Sequence, residues 1–105
     1  MTVFSKIPQF VKIGWKKYLV SKAAPVLNDG HELYGQINYS DETIMLREGN
    51  SPQQDEATLV HELVHGISEH YGLDLEEHTV EVLANGIYTL LCDNGMRISI
   101  HEDSR

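Results

Sequence analysis

The chain has one cysteine, Cys92, three prolines, and eight basic residues against sixteen acidic ones in 105 residues. A single cysteine excludes an intrachain disulfide. Its place in an apolar run reads as a buried thiol, which suits a reducing compartment. No apolar run is long enough to span a membrane. A signal-peptide pattern is missing too, because Lys6, Pro8 and Lys12 interrupt every apolar run near the start. The expectation is a cytoplasmic protein without a membrane partner. A net charge of −8 disfavours a nucleic-acid partner, since a phosphate-backbone binder is normally basic. The charge is also uneven. Lys6, Lys12, Lys16, Lys17 and Lys22 lie in a first stretch of 22 residues that holds no acid, and the remainder carries −13. The lysines read first as a solvated strand face that protects a sheet edge, and second as a contact for an acidic partner.

The length suits one domain with one modest core, so residues 1–105 are expected to form a single unit. Gln9 to Ile13 and Lys16 to Ser21 alternate as strands about a turn at Gly14-Trp15. Ala23 to His31, with Pro25 and Asn28-Asp29-Gly30, reads as a loop. Leu33 to Tyr39 and Glu42 to Arg47 form a predicted hairpin about Ser40-Asp41, with Ile44 and Leu46 inward. Met1 to Lys6 carries little signal. Met96 to Ile100 reads as a short strand or a tail, and His101 to Arg105 as a frayed end. Strands followed by helices point to an α+β class with a short antiparallel sheet of about three strands.

What the chain does contain is His61-Glu62-Leu63-Val64-His65. On a helix the two histidines fall about 40° apart, one turn from each other. Two imidazoles so placed can bind one tetrahedral Zn²⁺, and Glu62 can act as general base on a water the metal activates. The surrounding residues support the helix. Ser51 is an N-cap candidate, Pro52 a first helical residue, and Gln54 closes a capping box. Asp55 and Glu56 suit the positive end of the dipole. Val60, Leu63, Val64, Ile67 and Tyr71 make an apolar stripe, and Gly72 is placed to end the helix. The histidines lie at about 100° and 140° from Val60, flanking the stripe.

A second helix follows Gly72. Asp74 to Glu77 reads as its capping box, Val80, Leu83, Ala84, Ile87, Tyr88 and Leu91 as its buried stripe, and Asn94-Gly95 as its end. A catalytic zinc normally has three protein ligands. Glu77, His78 and Glu81 are the candidates here. Glu81, at about 100° from Val80, and Glu77, at about 60°, both flank the stripe, while His78 lies further from it. A third histidine six residues after His65 is excluded, because that position is Tyr71. The site is therefore read as His/His/Glu.

His61-Glu62-Leu63-Val64-His65 followed by Glu81-Val82-Leu83-Ala84-Asn85 resembles the gluzincin pattern. With the preceding Tyr34 to Tyr39 and Ile44 to Leu46, residues 30–95 resemble small metallopeptidases encoded by phages, prophages and mobile elements, relatives of the ImmA/IrrE group. The resemblance implies a zincin-like fold and hydrolysis of peptide bonds in a protein or peptide substrate. It implies one Zn²⁺ held by His61, His65 and Glu81, with Glu62 as base and Asn85 orienting a ligand histidine. On this reading Glu81→Ala weakens zinc binding more than Glu77→Ala. Tyr88, His70 and Tyr71 are candidates for a transition-state donor, Tyr88 first because it lies beside Glu81 on the helix wheel. The chain lacks a second lobe to wall a cleft. A partner, a dimer, or a peptide added along an edge strand at Glu42 to Arg47 would then complete it. The competing expectation is a zinc-stabilised binding module with little catalysis.

Overall fold

The structure, a computed structural model, describes residues 2–101. Strands β1 (Phe10–Ile13) and β2 (Lys16–Ala23) form an antiparallel hairpin about Gly14 and Trp15. A two-stranded ribbon, β3 (Leu27–Asn28) and β4 (His31–Glu32), occupies part of the expected loop. Strands β5 (Gly35–Asn38) and β6 (Thr43–Arg47) make the expected antiparallel hairpin. Helices α1 (Pro52–Tyr71) and α2 (Glu77–Asp93) follow. The class is α+β, but the main sheet has four strands and is mixed, in the order β1-β2-β6-β5.

The fourth neighbour arises because β6 runs parallel to β2, pairing Val20 with Ile44 and Lys22 with Leu46. A parallel pair needs a crossover of a dozen or more residues, and residues 24–42 supply it. Ile44 and Leu46 are fully buried as expected. With strands on both sides, however, β6 is interior and offers no edge to a peptide. The open edge next to it belongs to β5.

Helix α1 begins as its residues dictate. Ser51 Oγ accepts from the Gln54 N–H at 3.1 Å, and Pro52 is the first helical residue. The return half of the capping box does not form, because the Gln54 amide donates instead to Thr58 Oγ1 at 2.9 Å. Gly72 ends the helix in the left-handed region, φ 66°, with its N–H on Ser68 O. The capping box expected for α2 is also absent. Asp74 has φ 54°, and Glu76 flanks the helix without a side-chain cap. The apolar stripes extend beyond the core. Val60, Val64, Val80 and Ala84 are buried, while Ile67, Tyr71, Leu83 and Ile87 remain exposed. Only one side of α2 meets α1, so the residues at the margin of its stripe face solvent.

The first residues, uninformative as sequence, are built into the core. Val3 and Phe4 are buried, and Phe4 forms a single parallel bridge with Ile98. Ile98 donates to Val3 O at 2.7 Å, and Ser5 to Ile98 O at 2.8 Å. Met96 to Ile100 is thus neither a free tail nor a strand. The predicted frayed end falls, beyond His101, outside the described residues.

Glu56 secures this arrangement. Its carboxylate is buried and accepts from Val3 N–H at 3.0 Å, Phe4 N–H at 2.9 Å and Tyr88 Oη at 2.8 Å. Glu56→Ala is expected to cost about 3 kcal/mol or more, because two buried main-chain donors and the half-buried Tyr88 hydroxyl lose a charged acceptor. Chemical denaturation measures the loss, and faster amide exchange at Val3 and Phe4 locates it. Among the described residues, no helix is long and apolar enough to cross a membrane.

Candidate metal centre

His61 and His65 stand one turn apart on α1, as the spacing requires, with ring centroids 4.8 Å apart. Both turn toward the first residue of α2. His61 Nε2 lies 3.1 Å from Glu77 Oε2, and His65 Nε2 lies 2.8 Å from Glu77 Oε1. Among the described residues these three form the possible metal-binding group, their donor atoms within 4.8 Å of one another. Each Nε2 faces one carboxylate oxygen. A metal ion would use the same nitrogens as lone-pair donors, so its binding must release any protons they carry. Two imidazoles and one carboxylate suit a zinc site that keeps an open position.

The link between the helices sets which acid arrives. Ser68 is buried on α1, its carbonyl accepts from Leu73 N–H at 2.9 Å, and its Oγ accepts from Leu75 N–H at 3.0 Å. These bonds hold the connection against α1, so α2 starts at Glu77 directly over the histidines. Glu81, the residue favoured by the sequence pattern, is one turn further on. It lines a cavity with His61, Glu62 and Asn85 and is not among the three converging residues. No hydrogen bond joins the Asn85 side chain to either histidine among the described residues. Ser68 carries no motif that would have revealed this role.

Glu62 is buried beside the triad, only 7% exposed. Burial, reinforced by the Glu77 charge, pushes its carboxyl up to about 7, against the opposing effect of the Ile37 N–H that donates to it. Such a group holds and releases a proton near neutrality, as a general base must.

Strand β5 borders the same cleft. Tyr34 O accepts from Arg47 N–H at 2.8 Å. The alternation of an antiparallel ladder therefore turns the main-chain groups of Gly35 and Ile37 to the open side, where Ile37 meets Glu62. Gly35 and Ile37 line the space around His61, Glu62, His65 and Glu77.

The hydroxyl at this cleft is Tyr39, which was not among the sequence candidates. It lines the space with the triad, and its Oη donates to His65 O at 3.4 Å. Burial and the nearby Glu69 and Glu62 raise it to about 12, so it stays a neutral donor. Tyr88 instead bonds Glu56, and burial and that bond push its phenol up. His70 packs between Trp15 and Tyr71, with ring centroids at 5.7 and 4.8 Å. It also abuts Gly14, whose φ is +63° and where a methyl group would overlap the imidazole. Gly14→Ala is expected to destabilise by about 2–3 kcal/mol through strain and overlap together. His70→Ala in that background should recover only the overlap part, as read by denaturation midpoints.

Comparison of the chain with protein-family models, curated proteins and solved structures gives no match.

Proposed function

We propose that the chain is a zinc-dependent peptidase that hydrolyses peptide bonds in extended protein segments. The observation that carries this reading is the convergence of His61, His65 and Glu77 beside a buried carboxyl, Glu62, poised to exchange a proton near neutral pH. Zinc bound by the triad would supply Lewis acidity toward a carbonyl and acidify water.

The chain's own groups supply the rest. Glu62 takes the proton of the attacking water and passes it to the departing amine nitrogen. The outward main chain of Gly35 and the outward carbonyl of Ile37 on β5 receive the substrate as an added antiparallel strand, which fixes the scissile bond over the cleft. Tyr39 offers a hydroxyl to the carbonyl oxygen as charge develops there. The resemblance to mobile-element metallopeptidases implies the same base role for Glu62 and says nothing of β5 or Tyr39.

The test is incubation of the zinc-loaded protein with unfolded protein chains, beside the Glu62→Gln variant and the chelator-treated parent. Fragments from the parent alone support the reading. A second reading, a zinc-stabilised binding module, is favoured by the openness of the site, where the Glu77 side chain is 59% exposed. Thermal stabilisation by zinc without fragments would select it.

A further inference from the structure

We infer that the cavity beside the triad is a subsite for a lysine or arginine side chain. The inference rests on the peptidase reading and adds a preference to it. The cavity has a volume of about 470 Å³. Leu33, Tyr34 and Ala57 supply apolar lining, while Glu81, Asn85 and Gln54 supply polar groups. His61 and Glu62 also line it, so the cavity opens onto the reacting centre.

The charge inside is of one sign. Two acidic side chains, Glu81 and the buried Glu62, line the cavity, and no lysine or arginine does. The nearest guanidinium that bears on its lining is already engaged. Arg47 stacks on Tyr34 with its Cζ 4.7 Å from the ring centroid, and it bonds Asn50 and pairs with Glu32. The donor half of the Gln54 amide is taken by Thr58, which leaves its carbonyl oxygen as the free half. The Glu81 carboxylate and the Gln54 oxygen therefore present acceptors to whatever enters, and the Asn85 amide can offer either an acceptor or a donor.

The geometry suits a long cationic side chain. Glu81 lies four residues after Glu77, about 6 Å further along α2. A lysine stem extends across a similar span, its methylenes against apolar walls and its ammonium at Glu81. An arginine can pair with the same carboxylate through two parallel hydrogen bonds. An acidic side chain would meet the Glu81 carboxylate, and an aliphatic one would desolvate Glu81 and Asn85 without replacing their water. This also gives Glu81 a role although Glu77 occupies the ligand position.

Acetylated hydroxamates of lysine, leucine and glutamate test the assignment, since each carries the same metal-binding head and a different side chain. Binding to the zinc-loaded parent is measured by calorimetry. Lysine is expected to bind at least tenfold tighter than leucine, and glutamate most weakly. Glu81→Gln should remove the lysine advantage, by weakening the lysine compound at least tenfold. Glu81→Lys should bring glutamate above lysine. Equal binding of lysine and leucine, no response to either variant, or no binding of any of the three would overturn the subsite. Peptide hydrolysis is scored separately with substrates differing only in lysine, leucine or glutamate. Cleavage without a lysine preference sinks the subsite and keeps the peptidase. A lysine preference in binding without cleavage of any peptide keeps the subsite and sinks the peptidase.

Discussion

Glu62→Gln is expected to make the metal-stripped protein more stable above neutral pH, while sharply slowing hydrolysis by the zinc-loaded form. The carboxyl has its folded-state pKa raised from 4.5 to about 7. Between those values the folded chain binds more protons than the unfolded one, so stability falls as pH rises through this window. Above about pH 7 the whole penalty is present, on the order of 3 kcal/mol for a shift of this size. Glutamine fills the same space without a charge and escapes it. Denaturant unfolding at pH 8 should therefore favour the variant, and the two proteins should converge below about pH 4.5. Zinc should narrow the gap at pH 8, because the cation offsets the buried carboxylate. Turnover should fall by about 10²–10⁴-fold with zinc still bound, the usual contribution of a positioned base. A variant less stable than the parent at pH 8 would show that Glu62 is not a destabilised carboxylate. Equal turnover would remove it as the base.

The second large effect concerns the third ligand. Glu77→Ala is expected to weaken zinc binding by on the order of a hundredfold or more, since even residues that only orient ligands cost 10–100-fold. Glu81→Ala should change it less than about threefold, because that carboxylate lines the adjoining cavity and not the triad. Competition against a chromophoric chelator measures both. The reverse order of the two variants would return the third ligand to Glu81 and remove the lysine subsite with it.

The two expectations for the third ligand differ for a physical reason. On the helix wheel Glu77 and Glu81 both flank the buried stripe, and a wheel contains no information about where along its axis a helix meets its neighbour. That height is set by the Ser68 bonds to Leu73 and Leu75. They belong to a connection whose sequence suggested a capping box, which a left-handed Asp74 replaces. The transition-state candidates show the same gap. The helix wheel favours Tyr88, but Glu56 claims its hydroxyl, and His70 packs against the Gly14 turn. Tyr39 reaches the cleft from the end of a strand that only the fold brings there.

What the sequence by itself determined is whatever depends on neighbours within one turn or one hairpin. It specified the start of α1 at Ser51 and Pro52, its end at Gly72, the pairing of His61 with His65, and the inward side chains Ile44 and Leu46. Bonds between residues three or four apart, and the strict alternation of a strand, are written in local spacing. The tertiary structure alone decided that β6 lies inside the sheet, that β5 is the edge strand beside the cleft, that Glu56 holds Val3 and Phe4, and that Glu77 closes the triad. Each of these is a choice among partners of similar chemistry far apart in the chain. Such choices are settled by how the whole core packs, and no short pattern of residues records them.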